Sequence, residues 1–318
     1  MAGTFLLTFD CEGKWGVVDR PAYRYASHTT PNLEATYRRI VGMLQAFGIG
    51  ATFAFTGAFT MSAAEFARLR PQVDGCAAGS TPWLRGAAMA IDRDGGDGWF
   101  SPACFGAAKD AGVHEIASHG FSHMPWGAAW ATRDVLDAEL ALSRQVAGFG
   151  DSVESFVYPR NQIAQTDLLP LHGFNIYRAA RPSLGRPVNL MRELNLFEAS
   201  ERLGPLDRLP VAIPAGYFLN WRLGLRRCIP VAWTVSRWEH MLRHAALTGG
   251  VVHAWTHPEN FIDGYAMFRL LGKILRLVAD EREAGRLRIV SCRDLVRLSP
   301  SSQRLLRPVS EPRAIIGA

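Results

Sequence analysis

The 318-residue sequence has little lysine, few cysteines and no long apolar run. Lysine occurs only at positions 14, 109 and 273, so the net charge of +6 comes almost wholly from arginine. The five cysteines are widely spaced and form no CxxC pair, which argues against a disulfide framework and favours reduced, mostly buried thiols. No run of eighteen apolar residues occurs, so no membrane-spanning helix is expected.

Targeting and nucleic-acid signals are also missing. Residues 1–4 lead straight into an apolar segment, without the basic region or cleavage site of a secretory signal, so we predict a cytoplasmic protein. The arginines are scattered and form no basic stripe with aromatic platforms, which argues against a nucleic-acid partner. One segment, 217–227, interleaves aromatic residues with arginine, and it predicts either peripheral contact with an anionic membrane or packing on the domain.

Short apolar segments alternate with helical patterns along the chain. Strands are predicted at 5–9, 51–56, 113–118, 155–158, 251–256 and 287–290, and helices near 33–47, 132–146 and 265–283. This alternation is typical of parallel βαβ units, hence of an α/β fold that is either an open sheet or a barrel. We predict one domain over 1–299 with a Gly-rich loop insertion at 76–105, and a peripheral C-terminal tail at 300–318.

An acidic cluster, Asp10-Cys11-Glu12, follows the first predicted strand. Side chains alternate along an extended segment, so Asp10 and Glu12 point to one side and Cys11 to the other. Two neighbouring carboxylates repel each other unless a cation compensates, and a metal would take one as a ligand and leave the other as a base. The alternative is a pair of solvated acids on a loop.

Two histidines, His119 and His123, follow the strand predicted at 113–118. Two imidazoles just after a strand can converge on one cation, and with Glu12 they form a two-His, one-carboxylate set with open positions for water and substrate. Zinc is the default ion for such a set, and Co, Ni, Mn or Fe would also fit. His114 lies deeper in the strand, and we interpret it as structural.

Two later strands deliver further polar residues. Arg160 follows the strand at 155–158, and it could hold a catalytic carboxylate or form a surface ion pair. His253 and His257 share the strand at 251–256, where they would be roughly 13 Å apart and could not reach one reacting centre. Pro258 ends the strand, so His257 lies at the carboxyl end of the strand and is the candidate acid. His253 is predicted to be a core residue or to support the site.

These segments, in this order, resemble the polysaccharide deacetylases with NodB homology, a branch of the carbohydrate esterases. The resemblance rests on four segments: Thr8-Phe9-Asp10-Cys11-Glu12, His119 to His123, Tyr158-Pro159-Arg160-Asn161, and His257-Pro258. It implies a distorted (β/α) barrel with the site at the carboxyl ends of the strands. The second acid is displaced by one position, as in family branches with an acid-x-acid pattern, which makes Glu12 the ligand.

The resemblance implies a metal-dependent hydrolase that removes an N-acetyl or similar acyl group from a sugar or glycan intermediate, in polysaccharide biosynthesis. Asp10 would be the base and His257 the acid that protonates the departing amine. The residue that orients Asp10 stays open between Arg160 and another, because Arg160 follows Pro159 whereas the family's Arg precedes the Pro. Two alternatives remain: a hydrolase of another amide, allantoinase-like or a deformylase, and an inactive glycan-binding barrel.

Overall fold

The structure is a computed structural model that describes residues 2–150, 152–182, 185–204, 207–219 and 224–298. Within them, strands run at Gly3–Cys11 (β1), Thr52–Phe55 (β2), Glu115–Ser118 (β3), Ser155–Phe156 (β4), Ile176–Arg178 (β5), Val211–Ile213 (β6), Tyr217–Phe218 (β7), Val251–Thr256 (β8) and Leu287–Ile289 (β9). Helices run at Thr30–Ala46 (α1), Ala63–Gly75 (α2), Pro82–Asp94 (α3), Pro102–Lys109 (α4), Arg133–Arg144 (α5), Leu168–Leu171 (α6), Arg186–Leu194 (α7), Val231–Thr248 (α8), Tyr265–Glu283 (α9) and Cys292–Arg297 (α10).

All the strands belong to one curled sheet in the order β6-β5-β4-β3-β2-β1-β8-β7, with β9 added to β1. Every pairing between these strands is parallel. Among the described residues no pairing joins β6 to β7, so the sheet stays open on that side. The prediction of a distorted (β/α) barrel is confirmed, and it gathers the carboxyl ends of the strands at one mouth.

Strand β1 is buried along its whole length, and its two faces carry different residues. Phe5, Leu7 and Phe9 belong to the large apolar core, together with residues of the surrounding helices such as Leu44 of α1. Leu6 belongs to a second cluster with side chains of β5, β6 and α10. The alternation that the sequence predicts for β1 is therefore present, and it directs the even-numbered residues to the opposite face from Phe5, Leu7 and Phe9.

The segment 76–105 is not a loop, because it contains α3 and the beginning of α4. Thr81 caps α3 by accepting a hydrogen bond from the backbone N–H of Leu84, and Pro82 occupies the first turn. Gly95 ends the helix in the left-handed region, at φ +62°. The Gly-rich run that suggested a loop is thus the helix terminus and the short turn after it. Whether the segment is an insertion remains a prediction.

Two further sequence predictions concern the state of the cysteines and membrane-spanning helices. The five cysteines are unpaired, and Cys11, Cys104 and Cys292 are buried, as predicted. None of the helices in the described ranges combines the length and the apolarity that crossing a bilayer requires. The predicted tail 300–318 and residues 220–223 of the segment 217–227 lie outside the described residues.

Candidate active site

The acidic cluster lies at the mouth of the barrel, where β1 ends. Asp10 is the penultimate residue of β1 and is buried, and Glu12 follows the last residue of the strand. Cys11 between them belongs to the large apolar core, on the opposite side of the strand. The two carboxylates therefore share the inner side of the barrel, as the alternation along the segment predicted.

Glu12 is surrounded by imidazole nitrogens. Its Oε1 atom lies 3.2 Å from Nε2 of His119 and 2.9 Å from Nε2 of His123. The ligand atoms of these three residues all lie within 4.8 Å of one another. Burial raises the pKa of Glu12, but the neighbouring histidines outweigh it and hold that pKa well below its usual range. The structure thus brings together the three residues that the sequence predicted as metal ligands.

The donor set fits a divalent cation. Nδ1 of His119 lies 2.7 Å from the carbonyl oxygen of Val157, which can only accept, so Nδ1 carries the proton. In the neutral ring Nε2 then directs a lone pair at Glu12. Burial lowers the pKa of His123. Its Nδ1 has no hydrogen-bond partner among the described residues, and its Nε2 faces Oε1 of Glu12 at 2.9 Å. Nitrogen lone pairs that converge on a carboxylate oxygen repel it unless a cation lies between them. A histidine that ligates a metal through one ring nitrogen typically donates a hydrogen bond from the other to a backbone carbonyl, as His119 does.

The turn that carries the histidines is held from three sides. Gly120 has φ +76° and its carbonyl accepts a 2.8 Å hydrogen bond from the N–H of Gly57. The backbone N–H of Ser122 donates to Oε1 of Glu139 at 2.6 Å. The indole N–H of Trp83, on α3, donates to the carbonyl oxygen of Ser122 at 2.8 Å. The segment 76–105 therefore supports the turn that carries His123, which itself has φ +58°, a conformation that only surrounding contacts maintain.

Asp10 is paired with a buried arginine that the sequence did not single out. Nη1 of Arg178, at the end of β5, lies 2.7 Å from Oδ1 of Asp10, and Nη2 lies 2.6 Å from Oδ2. Nη2 also donates to Oδ1 of Asn161 at 3.0 Å. Burial raises the pKa of Asp10, but the charge of Arg178 and its hydrogen bonds outweigh burial and lower it. Asp10 is therefore fixed in orientation and ionised.

The sequence left the residue that orients Asp10 open between Arg160 and another, and in the structure Arg160 bonds Asp19 instead of Asp10. The guanidinium of Arg160 donates to both carboxylate oxygens of Asp19, at 2.9 and 2.6 Å, and lies over the ring of Trp83. Residues 160 and 161 both have positive φ, so the chain turns sharply after β4. That turn sends Arg160 to the outer rim of the mouth and places Asn161 against Arg178.

A buried chain of hydrogen bonds supports the Asp10–Arg178 pair. Nδ1 of His253 lies 2.7 Å from the carbonyl of Pro214, so it carries the proton, and burial lowers the pKa of His253 to about 3. Its Nε2 then accepts from the hydroxyl of Thr8 at 3.1 Å, and Thr8 in turn accepts from Nη1 of Arg178 at 3.1 Å. His253 is fully buried and supports the site from the core, as predicted.

His257 lies at the mouth, one residue after β8. Its Nε2 is 3.3 Å from Oε1 of Glu12, so it joins the same centre. Burial lowers the pKa of His257, but Glu12 and Asp10 outweigh burial and raise it to about 9. Glu259 lies behind Glu12, and its Oε1 accepts hydrogen bonds from the backbone N–H groups of Glu12 and Gly13, at 3.2 and 2.8 Å.

His114 lies at the other end of β3 from this centre. Its Nδ1 accepts a hydrogen bond from the N–H of Ala51 at 3.2 Å, and its ring packs on Phe53 at a centroid distance of 5.1 Å. These contacts agree with the structural role that the sequence suggested.

Three residues of the site were missed at the sequence level: Arg178, Glu139 and Glu259. β5 has only three residues, too few for an alternating pattern, so nothing marked Arg178 as the end of a strand. Glu139 lies inside the amphipathic helix α5, whose charge pattern predicts an exposed polar residue at this position. In the structure its side chain is fully buried. Glu259 follows His257-Pro258 closely, and that proximity was the one available signal.

Comparisons with known proteins agree with this fold. No family model and no curated protein sequence matches the chain. Among solved structures, a putative polysaccharide deacetylase from Mycobacterium smegmatis is 16% identical with a TM-score of 0.58, and the match covers 98% of this chain and 95% of that chain. The Puue allantoinase is 12% identical with a TM-score of 0.54, and the match covers 92% of this chain and 88% of that chain. The chain therefore has the fold of the NodB-type polysaccharide deacetylases, which it shares with an allantoinase.

Proposed function

We propose that the protein is a metal-dependent hydrolase that removes an N-acetyl or similar acyl group from a sugar or glycan intermediate in polysaccharide biosynthesis. The observation that carries the proposal is the convergence of Glu12, His119 and His123, whose ligand atoms lie within 4.8 Å of one another. A divalent ion held by these three side chains, Zn²⁺ by default and Co, Ni, Mn or Fe as alternatives, would supply a water of lowered pKa and an electrophile for the acyl oxygen.

Asp10 is the proposed base. Arg178 keeps Asp10 ionised and fixes both of its oxygens, yet each carboxylate oxygen retains a lone pair that can accept a proton from the attacking water. Asp10 lies two residues before Glu12 and is not part of the described group of possible ligands, which comprises Glu12, His119 and His123. This arrangement separates the base from the ligand, as proton abstraction at the site requires.

His257 is the proposed acid. An amide anion leaves very poorly, so cleavage of the C–N bond requires a proton on the departing nitrogen. His257 reaches the centre from the end of β8, with its Nε2 3.3 Å from Oε1 of Glu12. With 26% of its side chain exposed, His257 is also the most accessible of the three histidines on Glu12, which suits a group that meets the substrate.

The allantoinase in the structural comparison favours a second candidate within the same chemistry. That protein shares the fold at a TM-score of 0.54, and a cyclic amide or a formamide would present the same carbonyl and nitrogen to Asp10 and His257. The alternative that is not an enzyme is an inactive glycan-binding barrel, which requires no bound metal.

The test combines metal analysis with product analysis. We expect the purified protein to contain about one divalent ion per chain by mass spectrometry and to release acetate from N-acetyl sugars. Release of formate from formamides, or opening of allantoin without acetate release, would favour the second candidate. A chain that carries no stoichiometric metal and hydrolyses none of these substrates would overturn the enzyme assignment.

The variant Asp10→Asn sharpens this test, with Asp92→Asn on α3 as a matched control on an exposed side chain. We expect Asp10→Asn to keep its metal and to lose turnover by at least about 10²-fold, because general base catalysis contributes on that scale. The control should keep both properties. A wild-type rate in Asp10→Asn would remove Asp10 from the mechanism.

A further inference from the structure

A cleft of about 530 Å³ opens beside the mouth of the barrel, on the side where the sheet is not closed. We call it the arginine cleft, because five arginines from separate parts of the chain line it. They are Arg160 after β4, Arg181 after β5, Arg192 on α7, Arg226 before α8, and Arg237 on α8. Like charges repel, so guanidinium groups that lie close together are stabilised by anions between or beside them.

Three of the five arginines are neutralised by acids. Arg226 is bound by Glu193 through two hydrogen bonds of 2.6 and 2.7 Å. Arg181 bonds Glu198 at 3.3 Å and Glu201 at 2.8 Å. Arg160 has its partner outside the cleft, on the loop after β1. These pairs fix the walls of the cleft and hold the guanidinium groups in place.

Arg237 has no comparable partner among the described residues. Its side chain is 4% exposed, and the closest acid is Glu198, whose Oε2 lies 3.8 Å from Nη2 and which also serves Arg181. Its Nε and Nη1 atoms have no hydrogen-bond partner in the described part of the chain. A buried guanidinium with unsatisfied donors is destabilising unless an anion compensates it. Arg192 contributes a further cation, whose one described polar contact is the carbonyl of Pro182 at 3.5 Å.

The arginine cleft borders the candidate active site. Asn161 lines the cleft and accepts a hydrogen bond from Arg178, the residue that holds Asp10. Phe218 and Trp255 also line it, and their rings lie 6.0 and 5.8 Å from the ring of His257. A ligand in the cleft would therefore lie beside the proposed acid, and it could be part of the molecule whose acyl group is removed.

We propose that the arginine cleft binds a phosphate or diphosphate group of the substrate, so that the acyl-amino sugar is attached to phosphate. The part of this inference that concerns the acyl-amino sugar rests on the proposed function. The part that concerns anion binding does not. A single carboxylate can pair with one guanidinium through two hydrogen bonds. A diphosphate has more oxygens and more negative charge, so it can bind several guanidinium groups at once. The aromatic rings of Phe218 and Trp255 supply apolar faces for the sugar between the two sites.

The binding test uses inorganic pyrophosphate, uridine diphosphate and citrate as probes in calorimetry on the full chain. We expect pyrophosphate and uridine diphosphate to bind. Arg192→Gln and Arg237→Gln should each weaken that binding about tenfold, or about 1.4 kcal/mol, because each removes a charged hydrogen-bond donor. Arg192 has few contacts, so its variant keeps the test valid if Arg237→Gln fails to fold. The matched control is Arg288→Gln, an exposed arginine on β9 at the opposite end of the sheet, and it should leave binding unchanged.

Two outcomes would overturn the inference: equal binding in the wild type and both cleft variants, or citrate that binds as tightly as pyrophosphate. A second arm separates the two sources of phosphate. Binding of uridine diphosphate with no binding to phosphatidylcholine vesicles that contain phosphatidic acid indicates a soluble nucleotide sugar. Vesicle binding that the cleft variants weaken indicates a lipid-linked sugar.

Activity distinguishes failure of this inference from failure of the proposed function. Hydrolysis of N-acetylglucosamine and its 1-phosphate at equal kcat/KM, without phosphate binding, would refute the cleft and leave the hydrolase standing. Phosphate binding that the cleft variants weaken, in a chain that hydrolyses no acyl amide, would support the cleft and refute the hydrolase.

Discussion

Arg178 binds both carboxylate oxygens of Asp10, with Nη1–Oδ1 at 2.7 Å and Nη2–Oδ2 at 2.6 Å. Both side chains are almost completely buried, so neither charge is compensated by water. A buried ion pair is kept in place by its geometry, because removing one partner leaves the other as an isolated charge. Here that geometry sets the direction in which Asp10 presents its remaining lone pairs.

The first prediction concerns Arg178. Arg178→Lys keeps the positive charge but loses the two parallel hydrogen bonds, so we expect kcat to fall about 10- to 100-fold with the metal retained. Arg178→Met leaves Asp10 without a partner and should lower the free energy of unfolding by about 3–5 kcal/mol. Steady-state kinetics and urea denaturation measure the two effects.

The comparison variant for this prediction is Arg160→Gln, and the control on an exposed arginine away from the mouth is Arg288→Gln on β9. Arg160 bonds Asp19 on the rim and not Asp10, so a much smaller change in kcat is expected from it. A larger loss of kcat from Arg160→Gln than from Arg178→Lys would restore the orienting role to Arg160.

The second prediction concerns the hydroxyl of Thr8. Thr8→Val preserves the shape of the side chain but removes the group that links His253 to Arg178. The buried Nε2 of His253 would lose its donor, so we expect the free energy of unfolding to fall by about 1–3 kcal/mol. Thr36→Val, at a buried threonine on α1, is the control for the loss of a hydroxyl. Equal stability of the wild type and Thr8→Val would show that the chain of hydrogen bonds contributes nothing.

The third prediction concerns His257 and the leaving group. His257→Gln removes the proposed acid, so hydrolysis of an N-acetyl amide should fall by about 10²–10⁴-fold. An aryl acetate leaves without protonation, and its hydrolysis should fall far less. Comparing kcat/KM for the two substrates tests the role directly. A loss of equal size on both would show that His257 acts before the C–N bond breaks.

The fourth prediction concerns the dependence of stability on pH. Burial raises the pKa of Glu139 from 4.5 to about 7, although the N–H and hydroxyl of Ser122 oppose it. The folded chain therefore binds this proton more tightly than the unfolded chain. The stabilisation is complete below pH 4.5 and is lost as the pH rises through about 7, which amounts to roughly 3 kcal/mol.

Glu139→Gln does not titrate, so its stability relative to the wild type should rise between pH 5 and pH 8. Melting temperatures at those two values measure the difference. Glu34→Gln, on the surface helix α1, serves as the control. A constant difference between wild type and Glu139→Gln across this range would show that Glu139 is ionised throughout.

Much of the barrel and of the ligand set could be predicted, because both leave local signals. β1, α1, β8 and α9 have clear apolar periodicity, and the structure contains each of them close to the predicted bounds. Glu12, His119 and His123 were identified from spacing after predicted strands, and the structure brings their ligand atoms together. The short strands β5 to β7 and the helix α3 were not predicted. Strands of two or three residues are too short to show an apolar period, and the Gly-rich turn after α3 led us to predict a loop there.

The sequence by itself determined which residue types follow which strands, and parallel strands then carry those residues to one mouth. It could not determine which guanidinium reaches Asp10, because that depends on the curl of the sheet and on the turn with positive φ at residues 160 and 161. The tertiary structure alone assigned Arg178 to Asp10 and placed the buried Arg237 in a cleft beside His257. Contacts between residues more than a hundred positions apart are set by packing, and no local pattern records them.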